Sequence, residues 1–176
     1  MANVVPVRKE LGIRTVFNFL GPLINPAFPT GQIMGVSNPQ ILPKIAEVLL
    51  NLDCKKALVV CGETPVLDEF SICGKTIVYR IDNGKIDNFE VNPEDFGIKR
   101  AKIEDLAGDI PEKNAEIIKK IFSGKITGAP LDAVALNTAA LLWAGNKASS
   151  IENGLNLSYE LISNGSALNK IKELSS

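Results

Sequence analysis

Ala57-Leu58-Val59-Val60-Cys61 is an unbroken apolar run closed by Gly62. Five such residues leave no polar face, so the segment suits a strand covered on both sides, as in a parallel sheet with helices above and below it. What precedes the run agrees with this. Residues 32–36 read as a short strand, Asn38 stands where a helix cap accepts backbone N–H groups, and Pro39 fills the first turn. Ile41, Leu42, Ile45, Leu49 and Leu52 then recur at three- and four-residue spacing and predict a helix with one apolar face. Strand, capped helix and buried strand in succession make an α/β unit.

A different pattern follows. Ile77, Tyr79 and Ile81 alternate along residues 76–81, Phe89 and Val91 along 85–91, and Asp82-Asn83-Gly84 lies between them. That predicts a β-hairpin, hence an antiparallel patch on an otherwise mostly parallel sheet. The remainder reads as helical. Asp109 and Glu112 bracket a start at Pro111, with Gly124 as the stop. Residues 130–144 are apolar nearly all round and predict a buried helix ended by Gly145. Ser149 and Glu152 have capping-box spacing ahead of Ile151, and Gly165 separates that helix from a short last one with Leu168, Ile171 and Leu174. The expected architecture is a single α/β domain over residues 1–176, a mixed, mostly parallel sheet with an antiparallel hairpin, flanked by helices.

Composition narrows the chemistry. At 176 residues and 45% apolar, the chain has enough material for one real core. Its 19 basic and 20 acidic residues form no long block of one sign, which argues against nucleic acid or an anionic membrane as partner. There is no signal-peptide pattern and no apolar run long enough to span a bilayer. Cys54, Cys61 and Cys73 are odd in number and form no Cys-x-x-Cys pair, as expected of reduced thiols in a cytoplasmic protein. Histidine is absent. A Ser-His-Asp triad, a histidine metal ligand and a histidine general base are thereby excluded from this chain.

Three features remain that carry chemistry. Arg8 has a guanidinium that offers paired donors to a planar carboxylate, although an arginine at such a place is more often simply solvated on the surface. Gly21-Pro22 lets backbone pass close to a flat ring while holding its loop rigid, and it also reads as the end of an amphipathic helix built on Val7, Leu11, Val16, Phe19 and Leu20. Asp68-Glu69 follows Pro65, so a loop is plausible there. On a loop two adjacent carboxylates can converge on magnesium and its water shell, although adjacent acids are also an ordinary solvated turn.

The stretch from Pro6 to Ala27, PVRKELGIRTVFNFLGPLINPA, resembles the signature of the anthranilate phosphoribosyltransferase family. The likeness continues through MGVSNPQILPKIAEVLLNL, ALVVCGE, LDEFS, EVNPEDFGI and DAVALNTAALL, nearly the whole chain. It implies part of the large domain of the nucleoside phosphorylase/phosphoribosyltransferase-type fold. It also implies transfer of phosphoribose from phosphoribosyl pyrophosphate to the amino group of anthranilate. By the same resemblance Arg8 binds anthranilate, Gly21 and Pro22 border its channel, and Asp68 and Glu69 hold Mg2+ on the donor. Arg14 matches the signature without an assigned ligand. The family's amino-terminal helical domain and its GTGGD-type loop for the diphosphate do not occur in these residues, so the chain resembles the carboxy-terminal half. It is expected to be inactive and monomeric by itself, because the family dimerises through the helical domain. A pyrimidine nucleoside phosphorylase-like fragment, or a binding fragment without catalysis, is the alternative.

Overall fold

The computed structural model describes Glu10, Gly12 and residues 17–174. Five strands form one sheet: β1 (Gly31–Gly35), β2 (Lys56–Glu63), β3 (Val66–Leu67), β4 (Thr76–Asp82) and β5 (Lys85–Val91). The order across the sheet is β1-β2-β4-β5, with β3 paired to the end of β2. Helices with described bounds accompany it: α1 (Phe17–Leu23), α2 (Leu42–Asn51), α3 (Pro111–Phe122), α4 (Ala129–Ala144), α5 (Ile151–Ser163) and α6 (Ser166–Leu174).

β2 is the middle of the molecule, and its period of two explains the unbroken apolar run. Ala57, Val59 and Cys61 face α2, packing with Met34, Leu42, Ile45, Ala46 and Leu49. Leu58 and Val60 point the other way, into a second cluster with Phe70, Val78, Leu136, Ala140 and Trp143. Each fully buried aliphatic side chain there contributes about 1.5–3 kcal/mol over an exposed one. The helices therefore cover both faces.

The sheet is mixed, as expected, and β1 with β2 is its parallel pair. β4 takes the place beside β2 where another parallel strand would have stood, and it runs antiparallel to both β2 and β5. The antiparallel share among the described residues is thus larger than a mostly parallel sheet implies. The hairpin turns at Asn83-Gly84, both with positive φ, and Asp82 pairs with Lys85 across the two-residue loop. Such a turn matches the right-handed twist of the strands it joins.

Local details depart from the sequence reading in four places. α1 does not unravel at Gly21 but continues through Pro22 to Leu23, and the Ile24 N–H still donates to Leu20 at 2.9 Å. Proline removes one helical hydrogen bond, and the turn closes around the loss. Asn38 caps as expected, accepting from the Gln40 N–H at 3.0 Å, but it caps a single 3-10 turn that leads into α2. Leu52, expected on the apolar face of that helix, lies past its end and is exposed. The cap of α5 is Ser150, whose oxygen accepts from the Asn153 N–H at 3.0 Å, one residue after the expected Ser149.

Candidate functional site

The acidic pair owes its position to a sharp return of the chain. β2 ends at Glu63, and β3 folds back so that Leu67 pairs with Gly62 and Val66 with Glu63. Asp68 and Glu69 come next and lie in bends, free of the strand geometry that would point neighbouring side chains apart. The Asp68 backbone rests directly on Gly35, where a Cβ atom would meet the Asp68 carbonyl oxygen at 1.6 Å. Only glycine admits so close an approach. Gly35 ends β1, which runs parallel to β2, so the pair stands at the carboxyl ends of the parallel strands. Open α/β sheets commonly form their ligand crevice on that side.

Residues 68–74 have left the ladder, and apart from the Ile72 carbonyl, which accepts from the Ala101 N–H at 2.9 Å, side chains supply hydrogen-bond partners there. Asn137 on α4 accepts from the Phe70 N–H at 3.0 Å and donates to the Phe70 carbonyl at 2.9 Å. The Thr76 hydroxyl oxygen accepts from the Ser71 N–H at 2.9 Å, and that of Ser71 from the Cys73 N–H at 3.0 Å. Phe70 is itself 1% exposed and anchors the loop in the core.

Electrostatics separates the acids of this region. Burial, and then the charge of Asp68, push the Glu69 carboxyl above its ordinary value, although the residue keeps exposed surface. Its neighbours supply the desolvation. Glu69 lines a cavity of about 580 Å³ with Ile117, Ile118 and Ile121 of α3 and Val134, Asn137 and Leu141 of α4. Glu63 is engaged elsewhere: the Lys75 ammonium bridges it and Glu90, each at 2.9 Å, and those contacts raise the Lys75 pKa, the hydrogen bond to Glu90 most. The Cys73 thiol is pushed up by burial and then by Asp105, Glu104 and Glu69.

Asp105 is the acid that sequence reading missed. It lines the same cavity as Glu69, while its side chain accepts from the Lys102 N–H at 3.0 Å. Its one sequence signal is a turn-capping position in Ile-Glu-Asp-Leu, which says nothing of Glu69. α4 also differs from expectation. Ala135, Leu136, Ala139, Ala140 and Trp143 are buried, but Leu141 is 56% exposed at the cavity.

Arg8 and Arg14 lie outside the described residues. Gly21 and Pro22 are exposed near the end of α1. Pro22 lines a separate cavity with Gln32, Leu49, Leu52, Cys54 and Lys55, toward the amino ends of β1 and β2. The acidic pair and Gly21-Pro22 are therefore not brought together. Among the described residues, no group of three or more His, Cys, Asp or Glu side chains could hold a metal ion. What Asp68 and Glu69 present is two adjacent hard oxygen donors under mutual repulsion. That set fits magnesium, which keeps several waters and takes further ligands from phosphate. No helix among the described residues is long and apolar enough to cross a membrane.

Comparison with known proteins follows the same lines. A family model described as glycosyl transferase family, a/b domain, matches residues 1–168. Anthranilate phosphoribosyltransferase of Petrotoga mobilis is 47% identical over 167 residues, 95% of this chain and 48% of the relative. The enzyme of that name from Clostridium beijerinckii is 47% identical over 100% of this chain and 51% of its own length. The chain thus spans about half the length of the curated relatives it matches. Among solved structures, anthranilate phosphoribosyltransferase from Thermus thermophilus superposes with a TM-score of 0.89 at 38% identity, covering 98% of this chain and 50% of that one. The Saccharomyces cerevisiae enzyme in complex with PRPP and Mg gives 0.87 at 32% identity, covering 98% and 49%.

Proposed function

We propose, because the chain belongs to the glycosyl transferase family, a/b domain, that it supplies the metal-holding and acceptor-binding half of an anthranilate phosphoribosyltransferase. The reaction is transfer of phosphoribose from phosphoribosyl pyrophosphate to the anthranilate amino group. The observation that carries this reading is the seat of Asp68 and Glu69. They lie on a loop at the carboxyl ends of the parallel strands, held from two sides, and no lysine or arginine among the described residues forms a salt bridge with them. A solved relative at 32% identity is a complex with PRPP and Mg.

In this reading Asp68 and Glu69 hold Mg2+, and Mg2+ supplies positive charge against the diphosphate when it is bound. The protein's own part is placement. The two carboxylates fix one side of the donor, and Asp105 and Glu69 keep the neighbouring cavity negative. A cationic sugar centre developing nearby is favoured by that field. Arg8 offers its fork to the anthranilate carboxylate, whereas Gly21-Pro22, toward the amino ends of β1 and β2 and away from the acidic pair, is given no part in the transfer. No side chain of this chain needs to accept a proton from the substrate, and none is given a catalytic role. The three thiols form no disulfide, in keeping with a cytoplasmic protein.

The test is Asp68→Asn with Glu69→Gln in the full-length enzyme that carries this chain. The magnesium concentration for half-maximal rate should rise about tenfold or more, while the melting temperature stays within a few degrees. An unchanged magnesium requirement would reduce the pair to a surface turn.

A further inference from the structure

Asn137 sits in the middle of α4 (Ala129–Ala144), where asparagine is a poor helix former and alanine occupies the neighbouring turns. Helix propensity gives it no reason to be there. Its three hydrogen bonds do. The amide oxygen accepts from the Phe70 N–H at 3.0 Å; the amide nitrogen donates to the Phe70 carbonyl at 2.9 Å and to Ala133 at 3.1 Å. The Phe70 N–H belongs to the peptide that begins at the Glu69 carbonyl. A two-point clasp on both peptides of Phe70 therefore fixes the plane of the Glu69–Phe70 link and its rotation. Below it Phe70 is buried, so the link cannot pivot on the other side. Asn137 also lines the cavity that Glu69 borders, so the amide and the carboxylate share one wall.

We propose that Asn137 is a positioning residue for the metal pair: its amide, by holding both peptides of Phe70, sets the direction in which Glu69 presents its carboxylate beside Asp68. Side chains that orient metal ligands from behind cost about 10–100-fold in metal affinity when removed. The proposal rests on the reading that Asp68 and Glu69 bind a divalent cation.

Mn2+ tests it in the 176-residue chain, since it takes the same oxygen ligands and broadens the resonances of nearby amides. In the parent chain, Mn2+ should broaden the Asp68, Glu69 and Phe70 amides first. Asn137→Leu should move that midpoint to about tenfold higher Mn2+ and speed hydrogen exchange at the Phe70 N–H. Asn137→Ala is the second variant, should the leucine fail to fold, with the same expectation. Leu136→Ala is the control for a merely structural effect. It empties a buried position on the same helix and should lower the melting temperature at least as much, yet leave the Mn2+ midpoint in place. If Asp68→Asn with Glu69→Gln weakens Mn2+ binding and the Asn137 variants do not, the positioning role is wrong and the metal reading survives. If the double variant binds Mn2+ as the parent does, both fall.

Discussion

Glu69 is a carboxylate kept where its charge is uncomfortable. Burial and Asp68 both raise its pKa, so the native state holds that proton more tightly than the unfolded chain does. The sign follows from linkage. The contribution to stability is fully present below the ordinary glutamate range and is lost as pH rises through the raised folded value. Glu69→Gln, which imitates the protonated form, should therefore have a higher urea midpoint than the parent at neutral pH, with the gap closing at acid pH. Saturating Mg2+ should close it too, by relieving the same repulsion. A gap that does not change between acid and neutral pH would mean that Glu69 is simply solvated. Some of this was readable from the residues alone. Pro65 ahead of two adjacent acids indicates a loop, and their chemistry indicates a hard cation. The approach of Asp105 and the apolar wall that desolvates Glu69 were not, because they arrive from α3, α4 and the turn before them, far along the chain.

Between elements, the junction that matters most is the end of β1 against the acidic loop. A Cβ on Gly35 would lie 1.6 Å from a backbone oxygen, and a backbone cannot swing aside as a long side chain can. Gly35→Ala should cost about 1–3 kcal/mol, the range for overpacking, read from the denaturation midpoint. It should also shift the Asp68 and Glu69 amide resonances. A variant as stable as the parent with those resonances unmoved would show that the contact is dispensable. No periodicity announces such a junction, since Gly35 looks like any residue at a strand end. The elements themselves were far more legible. Leu42, Ile45 and Leu49 at helical spacing, and Asn83-Gly84 between two alternating runs, state their structure locally. α4 marks the opposite case. A helix apolar on every side carries no direction, so its composition could not reveal that Leu141 and Val134 look into a cavity rather than the core.

For the molecule as a whole, the described residues gather the proposed metal pair at the carboxyl ends of the parallel strands and Gly21-Pro22 toward their amino ends. Large apolar side chains stand exposed at both ends, among them Phe28 at 85% and Ile24 at 60% beside Pro22, and Leu141 at 56% beside the Glu69 cavity. The chain spans about half the length of its relatives and contains no GTGGD-type loop. Incubated alone with anthranilate, phosphoribosyl pyrophosphate and Mg2+, it should leave the fluorescence of anthranilate unchanged. Losing even one oxyanion-type donor costs about 2.7–4 kcal/mol. Turnover near that of an intact enzyme would overturn the proposed division of roles. The clasp between Asn137 and Phe70 has a further consequence, in time rather than space. It joins residues 67 apart, whereas β4 and β5 close over a two-residue turn. Closing a long loop carries a larger entropy cost than closing a short one, and a hairpin forms in about 1–10 μs. On entropy alone the hairpin can thus close before α4 reaches Phe70, so the carboxylates would stand beside Gly35 before the clasp on Phe70 forms.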